Sequence, residues 1–157
     1  MRIIDGTATH LDAAASIWAR ATAARDGDDK PATLEEARPV IARVLGPGAL
    51  LLIAETASGR AAAFAAIAPI PGEPDTAELH YLGVDPDHWG DGAGRELLSA
   101  LTERLDGRCF REVRLSVYAD NQRAVRLYER MGWHASGTPV PNLRTGRLEQ
   151  RYALSLV

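Results

Sequence analysis

Between positions 84 and 97 the chain reads Val-Asp-Pro-Asp-His-Trp-Gly-Asp-Gly-Ala-Gly-Arg-Glu-Leu. Gly90, Gly92 and Gly94 stand at alternate positions, and each glycine costs backbone entropy that some native requirement must offset. They run into GRELLSALTERL, where Leu97, Leu98, Leu101 and Leu105 share one helical face. A helix start exposes unpaired N–H groups and a partial positive charge, which suit a phosphate. A plain strand-to-helix turn is the competing reading, but a turn needs one or two glycines rather than this series. Nucleotide loops fit less well. A Walker loop ends in Gly-Lys-Ser/Thr, whereas Gly94 is followed by Arg95 and Glu96. A dinucleotide fingerprint is Gly-x-Gly-x-x-Gly directly after a strand; here the pattern is Gly-x-Gly-x-Gly and stands away from the strand end at Val84.

Other reactive residue types are sparse. Cys109 is the single cysteine, which excludes an internal disulfide and a thiolate cluster. It precedes a strand in GRCFREVRLSV and reads as a small packing residue rather than a nucleophile. His10, His80, His88 and His134 lack metal-ligand spacing, so no metal site is expected. The net charge of −3 and scattered arginines, with Lys30 the one lysine, argue against nucleic acid as a partner. The 157 residues, 46% apolar and 25% charged, fit one globular domain over 1–157. No apolar run approaches the ~20 residues needed to cross a bilayer, and MRIIDGTATH has no leader pattern. A cytoplasmic protein with no membrane partner is expected.

The elements that must position these residues follow from periodicity. Residues 1–6 read as a strand; Thr9, three residues before Asp12, signals a helix running to about Ala24, with Leu11, Ala14, Ala15, Ile17 and Trp18 inward. After the polar loop from Arg25 to Pro31, Thr33 and Glu36 form a capping-box pattern for a helix to about Leu45, which Pro39 should break or kink. Strands 49–55 and 60–70 form a hairpin turned at Gly59. The loop PGEPD leads to a strand over 77–84, the leucine-striped helix follows, and then a strand over 111–118. Asn121 caps a helix striped by Ala124, Leu127, Tyr128 and Met131 and ended by Gly132. Strands near 133–139 and 147–156 close the chain. The order β-α-α-β-β-β-α-β-α-β-β predicts an α/β domain of α+β type, with a mixed, mostly antiparallel sheet of about seven strands and about four flanking helices.

With these elements in place, ELHYLGVDPDHWGDGAGRELL followed by NQRAVRLYERMGW resembles the GNAT superfamily of N-acetyltransferases. The family signature is a strand ending Val-x-Pro, a loop Gln/Arg-x-x-Gly-x-Gly/Ala, and later Asn-x-x-Ala-x-x-x-Tyr-x-x-x-Gly-Phe. Val84, Pro86, Gly92, Ala93, Gly94, Asn121, Ala124, Tyr128, Gly132 and Trp133 match it. Trp89 stands where the family usually has Gln or Arg, and Asp91 where a basic or neutral residue is common.

The resemblance implies acetyl-CoA as co-substrate, with its pyrophosphate on the loop formed by Trp89, Gly90, Asp91, Gly92, Ala93, Gly94 and Arg95. It implies a splayed pair of strands, here those ending at Val84 and Tyr118, whose cleft takes the pantetheine arm. Backbone groups of Leu82, Gly83 and Val84 would pair with that arm as an added strand, with Gly83 suiting a bulge. Acetyl transfer needs a neutral amine, a polarised carbonyl and a proton for the departing thiolate. Glu78 is the candidate base, resembling one that some family members carry on this strand, with His80 on the same face as second choice. Tyr128 is the candidate donor to the thiolate, Asn121 caps its helix or contacts the cofactor, and a backbone N–H near Val84 holds the carbonyl. The acceptor is an amine of a small molecule or peptide. The acidic run Asp26, Asp28, Asp29 would draw a cation, whereas Arg144 and Arg147 would grip an anionic group. A homodimer is compatible with this reading. A non-catalytic acyl-CoA-binding sensor or docking module is the alternative.

Overall fold

A computed structural model describes residues 1–156. Its strands are β1 (Arg2–Asp5), β2 (Leu50–Glu55), β3 (Ala61–Ile70), β4 (Glu73–Val84), β5 (Glu112–Tyr118), β6 (His134–Pro141) and β7 (Leu148–Ser155). Its helices are α1 (Leu11–Asp26), α2 (Leu34–Ala42), α3 (Ala93–Asp106) and α4 (Gln122–Arg130). All seven strands join one sheet in the order β1-β2-β3-β4-β5-β7-β6. Every pairing is antiparallel except β4 with β5. The element order and the mostly antiparallel sheet agree with the expectation.

Two apolar clusters sandwich the sheet. On one face Leu52, Ala65, Leu79, Val113 and Leu115 meet the leucine stripe of α3 together with Tyr128, Trp133 and Tyr152. On the other, Leu51, Ile53, Phe64 and Ala66 meet the alanine-rich side of α1 and Ala37 and Ile41 of α2. Among the described residues, β5, β6 and β7 add nothing to this second cluster. Among the described residues only the last turn of α1, at Tyr118, reaches over their half of that face, which carries polar side chains.

Local details differ from expectation for physical reasons. Thr9 does not cap α1: His10 holds that position with no side-chain cap, and Thr9 Oγ1 bonds to His10 Nδ1 at 2.6 Å. Pro39 neither breaks nor ends α2, which continues to Ala42. Both halves of the capping box form, Glu36 N–H donating to Thr33 Oγ1 at 3.2 Å and Thr33 N–H to Glu36 Oε1 at 3.0 Å; burial of Ala37 and Ile41 then anchors the helix on either side of the proline. β4 begins at Glu73 rather than 77, because a tight turn with Gly72 at φ +82° returns the chain straight into pairing with Ile70. Cys109 is exposed at φ +65° in the turn after α3, so it is not a packing residue.

Candidate active site

The parallel pair β4–β5 is short. Thr76, Ala77 and Glu78 oppose Glu112, Val113 and Arg114, and the pairing ends there. From Leu79 to Val84 and from Leu115 to Tyr118 the strands run on without pairing to each other, which opens a cleft between them. β5 continues instead with β7, up to Tyr118 opposite Glu149.

The register with β3 decides which backbone groups of β4 face this cleft. Asp85 N–H donates to Ala62 at 2.8 Å, and Gly83 and Tyr81 stand opposite Phe64 and Ala66. In an antiparallel ladder alternate residues spend their N–H and C=O on the same neighbour. Gly83 therefore turns its polar groups to β3, while Leu82 and Val84 turn theirs to the cleft. This corrects the expectation that all three line the arm. The bulge is also elsewhere: Ala66 opposes Tyr81 and Ile67 opposes Leu79, so His80 is the extra residue. Gly83 is required for space instead, because a Cβ there would lie 2.6 Å from Phe64 Cε1 in the core.

The bulge keeps the two faces consistent, with Leu79, Leu82 and Val84 all on the α3 side. Glu78 and His80 emerge together on the opposite side, His80 Nδ1 lying 3.0 Å from Glu78 Oε2. The expected shared face holds, and both side chains reach water, at 41% and 36% exposure.

At the end of β4, Asp85 is buried and caps the single 3-10 turn Pro86–His88, accepting from Asp87 N–H at 3.0 Å. Arg20 of α1 grips Asp85 at 2.5 Å and Asp87 at 3.3 Å. Sequence reasoning missed this brace; an Asp preceding Pro-Asp is itself a turn-capping signal.

The glycines of the next loop divide the work. Gly90 and Gly92 adopt φ +91° and +84°, which L side chains rarely adopt, with open space around each. Gly92 is the N-cap of α3 and has no side chain to occupy the first-turn amides of Ala93, Gly94 and Arg95. At Gly94 a Cβ would come within 3.1 Å of Leu127 on α4, so this glycine lets the two helices approach. Asp91 bonds to His88 Nδ1 at 3.2 Å and is half exposed, while Arg95 is exposed. Trp89 Nε1 donates to the Val84 carbonyl at 2.9 Å, and the Arg123 guanidinium stacks on its ring at 4.5 Å. Of the two cleft-facing residues, Val84 thus has its C=O engaged within the loop and its N–H pointing into the cleft.

α4 starts at Asn121, whose Oδ1 accepts from Ala124 N–H at 3.3 Å. Tyr128 lies in the α3-side cluster at 6% exposure, its ring centroid 5.7 Å from that of Trp133 and 6.4 Å from that of Tyr152. Its hydroxyl makes no hydrogen bond. Since no fully buried side-chain N or O among the described residues lacks a partner, the hydroxyl must reach solvent at its tip. Burial of the ring pushes the phenol well above its ordinary value, so it keeps its proton.

On the far side of the sheet a groove of about 370 Å³ runs beside Glu78, bordered by Glu73, Glu112, Arg114, Ser116 and Arg151. The end of the cleft is roofed by a cluster. Arg147 lies 3.8 Å from the Tyr118 ring centroid and binds Asp26 at 3.2 Å and Asp120 at 2.9 Å, with Arg25 on the same ring at 5.2 Å. Asp26 and Arg147 are thus committed to each other. Tyr81 meets Trp18 edge-on at 6.4 Å, and burial pushes its phenol up against the opposing pull of Arg43 and Arg144. Among the described residues no group of His, Cys, Asp and Glu side chains could hold a metal ion, and no helix is long and apolar enough to cross a membrane.

A sheet that parts at its one parallel pair, with a glycine-led helix starting at the parting, defines the α/β class to which GNAT acetyltransferases belong. The model of the Acetyltransferase (GNAT) family matches residues 12–133, and the chain belongs to that family. A mycothiol acetyltransferase of Kineococcus radiotolerans is 41% identical over 108 residues, 69% of this chain. The match spans 34% of that relative, so this chain covers about a third of its length. The crystal structure of the ribosomal-protein-S18-alanine N-acetyltransferase from Escherichia coli superposes with a TM-score of 0.79 at 30% identity, over 99% of this chain and 93% of that one. An aminoglycoside 6'-N-acetyltransferase solved with coenzyme A shares the fold, with a TM-score of 0.75 at 15% identity over 100% of this chain and 98% of that one.

Proposed function

We infer that this protein transfers an acetyl group from acetyl-CoA to a primary amine of a small molecule or peptide, by direct transfer in a ternary complex. The observation that carries this reading is the β4–β5 cleft, with the backbone of Leu82 and the N–H of Val84 turned to it and the α3 amides at its mouth. Such an edge takes an extended polar chain as it would another strand, and the first-turn amides of a glycine-led helix take a pyrophosphate. The names of the relatives and the coenzyme A in the aminoglycoside enzyme support the same donor.

Acetyl-CoA would supply an activated thioester; the rest falls to this chain. A lysine-like amine, with a pKa of ~10.4, costs roughly 4–5 kcal/mol to neutralise at pH 7. Glu78 accepts that proton directly or through water, and His80 beside it passes the proton outward. The cleft-facing N–H of Leu82 or Val84 donates to the oxygen on which charge grows. Tyr128 serves the sulfur as a hydrogen-bond donor rather than as a full acid: a phenol above 10 gives its proton to a thiolate of ~8.5 only uphill, by about 2 kcal/mol or more. Asn121 keeps its amide donors for the cofactor while its oxygen caps α4. The reaction belongs in the cytoplasm.

Release of free thiol from acetyl-CoA over a panel of amines tests the activity. Turnover with at least one amine, together with thermal stabilisation by acetyl-CoA, is the expected result. No stabilisation by acetyl-CoA or CoA overturns the reading.

A further inference from the structure

The polar face of β5, β7 and β6 carries a row set by strand pairing. Arg151 of β7 stands directly between Ser116 of β5 and Ser136 of β6. All three are exposed and border the groove that also holds Glu78. The charged neighbours of this row are already engaged. Arg114 binds Glu73 at 3.1 Å and Glu112 at 3.3 Å, and these carboxylates hold its guanidinium charged. Glu149, on the same face of β7 as Arg151, accepts from Asn142 at 3.0 Å. Arg147 is bound to Asp26 and Asp120. Among the described residues the Arg151 guanidinium alone in this groove has no hydrogen bond or ion pair, and Ser116 and Ser136 are its partners on the two neighbouring strands.

We propose that Arg151, with Ser116 and Ser136, binds a carboxylate or phosphate carried by the amine acceptor, so that the acceptor is an amine with an anionic group a few bonds away. A planar guanidinium pairs with either oxyanion through two parallel N–H bonds, and serine hydroxyls complete the shell. Glu78 pairs with Arg114, whose partner Ala153 lies two residues beyond Arg151. Two strand spacings and two residues along the strand put Glu78 and Arg151 roughly 12 Å apart at Cα. Both side chains border the same groove, and that separation leaves room for a short chain between amine and anion. The proposal rests on the acetyltransferase reading and assigns its acceptor class.

The test compares matched acceptors, γ-aminobutyrate against butylamine and O-phosphoethanolamine against ethanolamine, at saturating acetyl-CoA. Expected is a kcat/KM at least tenfold higher for the member that carries the anionic group than for its partner that lacks it. Arg151→Gln should reduce that ratio below twofold, and Arg151→Lys should retain part of it. The two pairs separate a carboxylate preference from a phosphate preference. Titration of the same compounds into CoA-saturated protein reads the site without turnover. Arg151-dependent binding of an anionic amine in protein that turns over no amine would sustain this site while sinking the acetyltransferase reading. Equal rates within both pairs, or a preference unmoved by Arg151→Gln, overturn the proposal while leaving acetyl transfer intact.

Discussion

The two sides of the β4–β5 cleft are built from different materials. On the loop and α3 side the features are backbone: two residues of β4 with polar groups turned to the cleft, two left-handed glycines, and a glycine-capped helix. On the groove side they are side chains, drawn from four strands and set beside one another by register. A backbone site needs residues without side chains at fixed intervals, and so leaves a motif in the chain. A side-chain site can be assembled from positions as distant as Ser116, Ser136 and Arg151, which no local spacing connects. One side can therefore be read along the chain, whereas the other exists only once the strands are paired.

The comparison breaks most visibly at the backbone side. Gly92→Val forces an L side chain to φ +84° at the cap of α3, a strain of about 1–3 kcal/mol, and crowds the amides proposed to seat the pyrophosphate. Expected is a roughly hundredfold loss in kcat/KM for acetyl-CoA, equivalent to about 2.7 kcal/mol, with the melting temperature lowered by several degrees. Steady-state kinetics at varied acetyl-CoA check it. A loss seen only in the KM for the amine would move the phosphate seat elsewhere.

Tyr128→Phe tests the proposed proton-handling role of the α3-side cluster. The hydroxyl has no hydrogen bond to lose, so stability should change little while kcat falls at least ~tenfold, in the range of a proton-handling group. Unchanged kcat returns Tyr128 to core packing. Glu78→Gln should cost about tenfold at neutral pH, and its signature is the shape of the pH profile. Replacing a general base should change the shape of the pH–rate profile as well as its height. A profile of unchanged shape points to His80, 3.0 Å away.

The same division explains what was legible in the chain. Leucine spacing in α3, the alternation in β5 and the capping box at Thr33 announce themselves locally, and each element formed within a few residues of its expected bounds. Pro39 misled because burial of α2 against α1 and the sheet outweighs one missing hydrogen bond. Gly83 is required by the Phe64 ring across β3, a tertiary fact, and the bulge that a glycine there suggests falls at His80. Arg144 and Arg147 were grouped as grips because they are neighbours in the loop, yet Arg147 is spent on Asp26, Asp120 and Tyr118. Arg151 drew no notice, since nothing near it in sequence marks it out.

That cluster around Arg147 gives the smallest effect and sharpens the comparison from the groove side. Arg147 ties the β6–β7 loop to the end of α1 and to Asp120, over the rim of the cleft. Exposed ion pairs contribute little, about 1 kcal/mol or less, and the stack on Tyr118 adds about 0.5–1 kcal/mol. Arg147→Ala should therefore lower the melting temperature by only a few degrees, and raise the KM for the amine a few-fold while the KM for acetyl-CoA stays put. The pH dependence has a defined sign. Hydrogen bonds from Arg25 first, and from Arg147 after burial is counted against them, hold the Asp26 carboxyl below its ordinary value. A depressed carboxyl contributes stability above its unfolded value of ~3.9 and loses it as pH falls through the folded value. The gap in melting temperature between wild type and Arg147→Ala should thus be full at pH 7 and close in acid below about pH 4. A gap that persists there would mean that the stack on Tyr118, and not the carboxylates, carries the staple.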